Sequence, residues 1–384
     1  MFLLIVLGFL TLLYGYAGWR MIPALDFPWN LAAGALLCGL ALLPLLLIRL
    51  RAHLSLAPLT DALSWIAYLS LGFFALATPL FLLRDLAWLV LHLAGPLLVQ
   101  AGVPGATPLP SAGPPLSDLG VLALATALAA RGLHQARRIP PVRRVEVPIQ
   151  GLPAAFHGFR IAQLSDLHIG PTLKGSFVGR VVERINALNP DLIAFTGDLA
   201  DGPVERLASQ VESLACLRAP CGKFFVTGNH EYYAGVFAWI AQVEKLGFRA
   251  LLNDACLIER GKATLALAGV TDYGAGEMVP EHASAPQAAL SRFPRADLRL
   301  LLAHQPRSIF AAAAAGCHLQ LSGHTHGGQF VPWKWLVPLQ QPFLAGLHRW
   351  QGTWLYVHRG TGYWGPPLRL GAPSEIALLV LTAA

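Results

Sequence analysis

Hydrophobic and polar positions divide this chain into two unlike parts. Over roughly the first third, apolar runs follow one another: Phe2 to Trp19 carries no charge, a second run covers about Leu31 to Ile48, and a longer one, about Ala62 to Leu98, is broken by Arg84-Asp85. Each is long enough to cross a hydrocarbon layer of ~30 Å as a helix. The third could form two spans, or one span and an interfacial helix. A Gly/Pro-rich segment, Gly102 to Pro115, leads to a last apolar run from about Leu119 to Ala130, which Gly132 and Leu133 could extend. Four spans are expected, with both termini on one side. No basic residue opens the first run and the second follows closely, which favours an uncleaved first helix over a removed signal peptide.

From Phe159 the pattern changes to short apolar runs alternating with stretches of helical spacing. Strands are expected at Arg160 to Leu164, Leu192 to Thr196, Phe224 to Thr227, Leu265 to Val270, Leu298 to Ala303, Leu319 to Leu321, Leu355 to His358 and Ile376 to Leu381. Helices are expected at Phe177 to Leu188 and Val236 to Leu246. This alternation fits an α/β sandwich of two sheets flanked by helices, with parallel pairing of the nearly continuous apolar strands. The expected division is an all-α transmembrane domain over residues 1–135, a linker and first strand region over 136–158, and an α/β domain over 159–384.

Charge follows the same division. Residues 1–130 hold four arginines and four aspartates, so the formal net charge of +7 arises wholly after them. No basic run interleaved with aromatic residues follows Arg144, which argues against a nucleic-acid partner; a basic face towards anionic lipid or a phosphate substrate accounts for the excess. Arg131, Arg137, Arg138, Arg143 and Arg144 crowd behind the last apolar run. Basic residues beside spans are retained on the cytoplasmic side, so the expected location is a bacterial inner membrane, multi-pass, with the second domain in the cytoplasm. Five cysteines without framework spacing read as buried free thiols.

Five short motifs carry the chemistry: Asp166-Leu167-His168, Gly197-Asp198, Gly228-Asn229-His230-Glu231, His304 and Gly323-His324-Thr325-His326. Each places an oxygen or imidazole ligand just behind an apolar run, where α/β proteins gather functional groups at strand ends. Together they supply what a pair of cations needs: one bridging carboxylate and mixed nitrogen and oxygen donors. Asp166, His168 and His326 are assigned to the first metal, Asn229, His304 and His324 to the second, and Asp198 bridges. This donor mixture suits Mn, Fe, Zn or Co better than Ca or Mg. His230 need not be a ligand; it is placed as a catalytic group beside Asp198 and Asn229, as general acid to the leaving oxygen or as a stabiliser of phosphoryl charge. Glu231 either orients His230 or serves as an exposed or capping residue. Singly each motif is an ordinary turn signal; their order after successive strands is what points to a metal site.

On these residues the chain resembles the calcineurin-like metallophosphoesterase superfamily from about Phe159 to its end. The matching segments are Ser165 to His168, Thr196 to Asp198, Thr227 to Glu231, His304 to Pro306 and Gly323 to Gln329. Arg359-Gly360 and Leu370 to Ile376 resemble the membrane-bound bacterial branch related to YkuE and YaeI, and a chlamydial-type UDP-2,3-diacylglucosamine hydrolase. The resemblance implies a four-layer α/β/β/α sandwich, two divalent metal ions, and hydrolysis of a phosphoester, mono- or diester, by a metal-bound hydroxide. A membrane lipid is one candidate substrate, with pyrophosphate hydrolysis of a nucleotide-sugar lipid as a second reading. A membrane sensor with a ligand-binding, non-catalytic domain is the third, and the complete ligand set argues against it.

Some features lie outside the motifs. Phe330 to Pro338 is apolar and aromatic, readable as a lid packed on the protein's own core or as a loop dipping into a bilayer interface. Tyr232, Tyr233, Arg359, Tyr363 and Trp364 are candidate pocket residues. Asp272 and Glu375 are expected to have structural hydrogen-bonding roles.

Overall fold

The computed structural model describes residues 2–53, 57–101 and 115–384. The Gly/Pro-rich segment therefore lies, apart from Pro115, outside the described residues. The chain divides into two compact units, residues 1–134 with 365–368, and residues 135–364 with 369–384.

In the first unit, four helices follow the apolar runs: α1 (Phe2–Met21), α2 (Trp29–His53), α3 (Ala57–Gln100) and α4 (Pro115–Arg137). The block broken by Arg84-Asp85 is one continuous helix, because neither residue interrupts backbone hydrogen bonding. At 44 residues its length is ~66 Å, about twice a hydrocarbon layer. Stretches of α1, α2 and α3 are long and apolar enough to cross a membrane. Among the described residues, no stretch of α4, where the last span was expected, stands with them. Charged groups within these helices find one another. Arg84 reaches Asp85 at 2.7 Å and Asp118 at 2.6 Å, Arg20 lies 3.6 Å from Asp85 and 3.5 Å from Asp118, and Tyr16 donates to Asp85. This neutral cluster ties α1, α3 and α4 together.

The second unit contains twelve strands and six helices. The strands are β1 (Val142–Ile149), β2 (Arg160–Leu164), β3 (Leu192–Phe195), β4 (Lys223–Phe225), β5 (Arg249–Ala250), β6 (Asp254–Arg260), β7 (Ala263–Gly269), β8 (Leu298–Leu302), β9 (Leu319–Ser322), β10 (Gly346–Trp350), β11 (Thr353–Val357) and β12 (Ile376–Ala383). The helices are α5 (Gly175–Asn186), α6 (Val204–Val211), α7 (Asn229–Ala234), α8 (Val236–Lys245), α9 (Pro286–Leu290) and α10 (Ile309–Ala314). They build two six-stranded sheets in the orders β1-β12-β2-β3-β4-β5 and β10-β11-β9-β8-β7-β6. Strands β2 to β5 run parallel, as do β7, β8, β9 and β11.

Side-chain alternation explains the layers. In β3, Leu192 and Ala194 join Ile161, Leu300 and Leu302 in the core between the sheets, while Ile193 and Phe195 face the other way and pack with Phe177, Val181 and Trp239 from helices. In β8 the intervening Leu301 packs with Ala289 of α9 and Ala312 of α10. Each inner strand is buried on both faces, which gives a four-layer α/β/β/α sandwich. The cysteines depart from expectation: all five are free, but only Cys256 and Cys317 are buried, and Cys38 and Cys216 are exposed.

Candidate metal centre

The ligands expected from the motifs meet at one rim of the sandwich. Asp166 and His168 follow β2, Asp198 follows β3, Asn229 opens α7 behind β4, His304 follows β8, and His324 and His326 follow β9. These are the C-terminal ends of parallel strands in both sheets. A larger hollow of ≈ 740 Å³, walled by Arg160, Asp191 and Lys223 among others, lies at the opposite, N-terminal ends of β2, β3 and β4 and away from the ligands.

Unusual backbone turns the side chains inward. Asp166, His168, Asp198, His324 and His326 all have left-handed φ, between 50° and 70°. For residues with a Cβ that conformation costs on the order of 1–3 kcal/mol each, and amides help to hold it. The Asp166 carboxylate accepts from His324 N at 3.0 and 3.1 Å, and Asp198 Oδ1 accepts from His230 N at 2.9 Å. Glycines leave the space this requires. A Cβ at Gly323 would lie 1.9 Å from Ser165 Oγ and 2.4 Å from Asp166 Oδ2, and one at Gly228 would lie 2.2 Å from Asp198 Oδ1. Gly328 makes room for the backbone of Lys334.

Two trios of donors share Asp198. His168 Nε2 is 3.0 Å from His326 Nε2 and 3.6 Å from Asp198 Oδ2, and His326 Nε2 is 3.5 Å from Asp166 Oδ1. On the other side, His304 Nε2 is 3.2 Å from both Asp198 Oδ2 and His324 Nδ1. Donors held ~2.1 Å from one metal lie ~3.0–3.4 Å apart for right-angled to tetrahedral arrangements, close to these separations.

Proton placement strengthens the fit. His304 Nδ1 lies 2.7 Å from Thr196 O, and His168 Nδ1 lies 2.8 Å from Asp201 Oδ1. Both Nδ1 atoms must donate there, leaving each neutral ring a bare lone pair at Nε2. Those lone pairs face carboxylate oxygen and imidazole nitrogen, acceptor against acceptor, unless a cation or proton lies between. Asn229 Oδ1 is likewise buried without a hydrogen-bond partner, as suits an oxygen kept for a metal. The residues present therefore fit a pair of divalent cations.

Without a cation, the titrating groups respond to burial and to one another. Burial raises the Asp166 carboxyl above the ordinary range, whereas Asp198, equally buried, is held well below it by His304 and His230. His304 is raised well above an ordinary imidazole because the Asp198 charge outweighs burial. Burial and His304 lower His324 to about 3. His230 rises to about 9, since Asp198 and Asp201 overcome its burial.

Three further residues shape the site without standing among the expected ligands. Asp201 Oδ1 accepts from His168 and also lies 2.8 Å from His230 Nδ1, so one carboxylate orients two imidazoles. Its signal was a second aspartate three residues after Asp198. Glu231, left open between orienting and capping, is a buried cap: it accepts from Gly228 N at 2.7 Å, Asp198 N at 3.0 Å and Leu199 N at 2.7 Å. Arg369, fully buried, donates to the carbonyls of His326, Arg359 and Gly362. No local pattern in the sequence announced that role.

The remaining candidates separate. Tyr233 and Trp364 stand edge-on to His230 at 5.4 and 5.7 Å. Tyr363 is buried and donates to Thr172 O, so its role is packing. Asp272 accepts from Gln305 and Gly274, and Glu375 from Tyr356 and Arg359, as expected of structural carboxylates. The aromatic loop is packed only at its start: Phe330 is buried, whereas Trp335 is 65% and Leu339 86% exposed.

Comparison with known proteins agrees with the fold. The family model for calcineurin-like phosphoesterases matches residues 159–328. A transmembrane protein with metallophosphoesterase domain from Danio rerio is 39% identical over 271 residues, covering 68% of this chain and 62% of that protein. The metallophosphoesterase YkuE of Bacillus subtilis is 31% identical over 281 residues, covering 68% of this chain and 94% of its own length. A metallophosphoesterase from Campylobacter jejuni is 32% identical and covers 69% of each chain. The chain thus spans about three fifths of the zebrafish relative and nearly all of the Bacillus one. On motif order, fold and these relatives, the chain belongs to the calcineurin-like phosphoesterase family.

Proposed function

We propose that this protein is a membrane-anchored phosphoester hydrolase with two divalent cations in its site, acting on a mono- or diester. The observation that carries the reading is the packing of His168 Nε2, His326 Nε2, His304 Nε2 and His324 Nδ1 at metal-ligand spacing around the Asp198 and Asp166 carboxylates, with Asn229 Oδ1 buried and without a hydrogen-bond partner. Asp166, His168 and His326 would hold one cation, Asn229, His304 and His324 the other, and Asp198 both. When bound, such a pair neutralises phosphoryl oxygens and lowers the pKa of water; Mn, Fe or Zn suits these donors.

The chain's own residues do the rest. His230 is held by Asp201 through Nδ1, so its Nε2 is free to give a proton to the leaving oxygen. Asp201 also stabilises the imidazolium before that transfer. Tyr233 and Trp364 flank the His230 ring and limit its rotation. The exposed Trp335, Leu336 and Leu339 support a lipid-borne substrate taken at a bilayer interface, where tryptophan is favoured. The arginines behind α4 favour a cytoplasmic position for the second unit, in a multi-pass bacterial inner-membrane protein.

The test uses the full chain in detergent, loaded with Mn and given bis-p-nitrophenyl phosphate. Release of nitrophenol is expected. His230→Asn should lower turnover about 100-fold while bound metal, read by elemental analysis, stays at wild-type level; Asp198→Asn should lose metal as well. A fully loaded wild-type protein that releases nothing would sink the hydrolase reading.

A further inference from the structure

A second cavity, of ≈ 340 Å³, opens directly on the centre, with Asn229 and His324 forming part of its wall. Its other charged lining groups are Asp272, Glu277 and Arg307. Asp272 is engaged inside the wall: its oxygens accept from Gln305 Nε2 at 3.0 and 3.2 Å and from Gly274 N at 2.9 Å. Glu277 is exposed to solvent.

Arg307 differs from both. Its guanidinium lies over the Tyr273 ring, 5.1 Å from the centroid, and Nη2 donates to Gln340 O at 2.5 Å. These contacts fix the plane of the fork. Its Nε is buried without a hydrogen-bond partner, and among the described residues no carboxylate pairs with it. A held, half-buried guanidinium lacking a counter-charge, in a cavity that starts at the ligands of one metal, is built to receive an anion.

We propose that Arg307 is a specificity-determining residue that binds a second anionic group of the substrate, a phosphate or carboxylate carried beside the phosphoester that the centre attacks. The inference rests on the hydrolase reading above, and it narrows the substrate class to acidic phosphodiesters or diphosphate diesters. Simple esters fill the metal subsite alone and leave Arg307 unused. The guanidinium offers either oxyanion its positive charge and the Nη1 donors, while Tyr273 keeps the charge in place.

The experiment titrates the Mn-loaded full chain in detergent, as wild type and as Arg307→Gln, with three ligands, by calorimetry. CDP-glycerol carries a second phosphate, glycerophosphoserine a carboxylate, and glycerophosphoethanolamine no second anion. Loss of a charged hydrogen-bonded contact should weaken binding of at least one of the first two about 30-fold, and whichever shifts identifies the anion. Glycerophosphoethanolamine should stay within about threefold, and Arg307→Lys should recover part of the loss. Equal weakening of all three ligands, or no change in any, overturns the proposal. Release from bis-p-nitrophenyl phosphate, followed in parallel, reports on the hydrolase reading separately: its failure leaves the binding comparison standing.

Discussion

One oxygen of Asp201 lies 2.8 Å from His168 Nδ1 and 2.8 Å from His230 Nδ1. A single carboxylate thus sets the tautomer of a proposed metal ligand and of the proposed proton donor, and its own acidity is raised in strength by both imidazoles despite burial. Asp201→Asn keeps the shape but offers a weaker acceptor. It is expected to lower metal affinity about 10-fold or more, as loss of an outer partner of a ligating histidine does, and to lower turnover at saturating metal as well. Metal titration followed by rate measurement checks both; wild-type behaviour in each would refute the double role. The residues proposed as ligands were legible as a group because their residue types are few and their sequence follows that of the strands. Asp201 was not, because an aspartate in a Gly-Asp loop reads as a turn residue until its partners, 33 and 29 positions away, are seen beside it.

Among the elements, α7 carries Asn229 and fixes the neighbouring loop through Glu231. Its carboxylate takes three amide donors from two segments, and burial with the nearby Asp198 charge raises its pKa to about 7 against those donors. Replacing it with glutamine converts one accepting oxygen into a donor facing an amide. Glu231→Gln should therefore cost about 2 kcal/mol of stability, read as a lower denaturant midpoint of the metal-free protein. An unchanged midpoint would contradict the capping role. Strand prediction failed in a patterned way. The inner strands were all legible, whereas of the four sheet edges β5, β6 and β10 were not, and β1 was expected only as a strand region somewhere within 136–158. An inner strand buried on both faces must be apolar throughout, but an edge tolerates polar residues: β1 exposes Arg143, Arg144 and Glu146, so its bounds within the linker are not marked by an apolar run.

At the scale of the whole molecule, a polar cluster joins helices that are otherwise apolar. Arg84 lies within 2.7 Å of Asp85 and 2.6 Å of Asp118, with both aspartates also near Arg20. Arg84→Leu leaves carboxylates without their closest counter-charge and should destabilise the helical unit by about 3 kcal/mol, seen as a lower melting temperature in detergent. Adding Asp118→Leu should restore much of that loss; a double variant no better than the single one would show that the pair does not couple. The sequence by itself determined the two unlike parts, the inner strands and which residues to propose as ligands, because those depend on local polarity and on residue chemistry. Only the tertiary structure decided that the block around Arg84 is one helix, which donors share Asp198, that Asp201 and Glu231 brace the centre, and that Arg307 stands unpaired beside it. The reason is distance along the chain: His168 and His326 are 158 residues apart yet 3.0 Å apart in space, and no neighbourhood pattern encodes a contact that two packed sheets create.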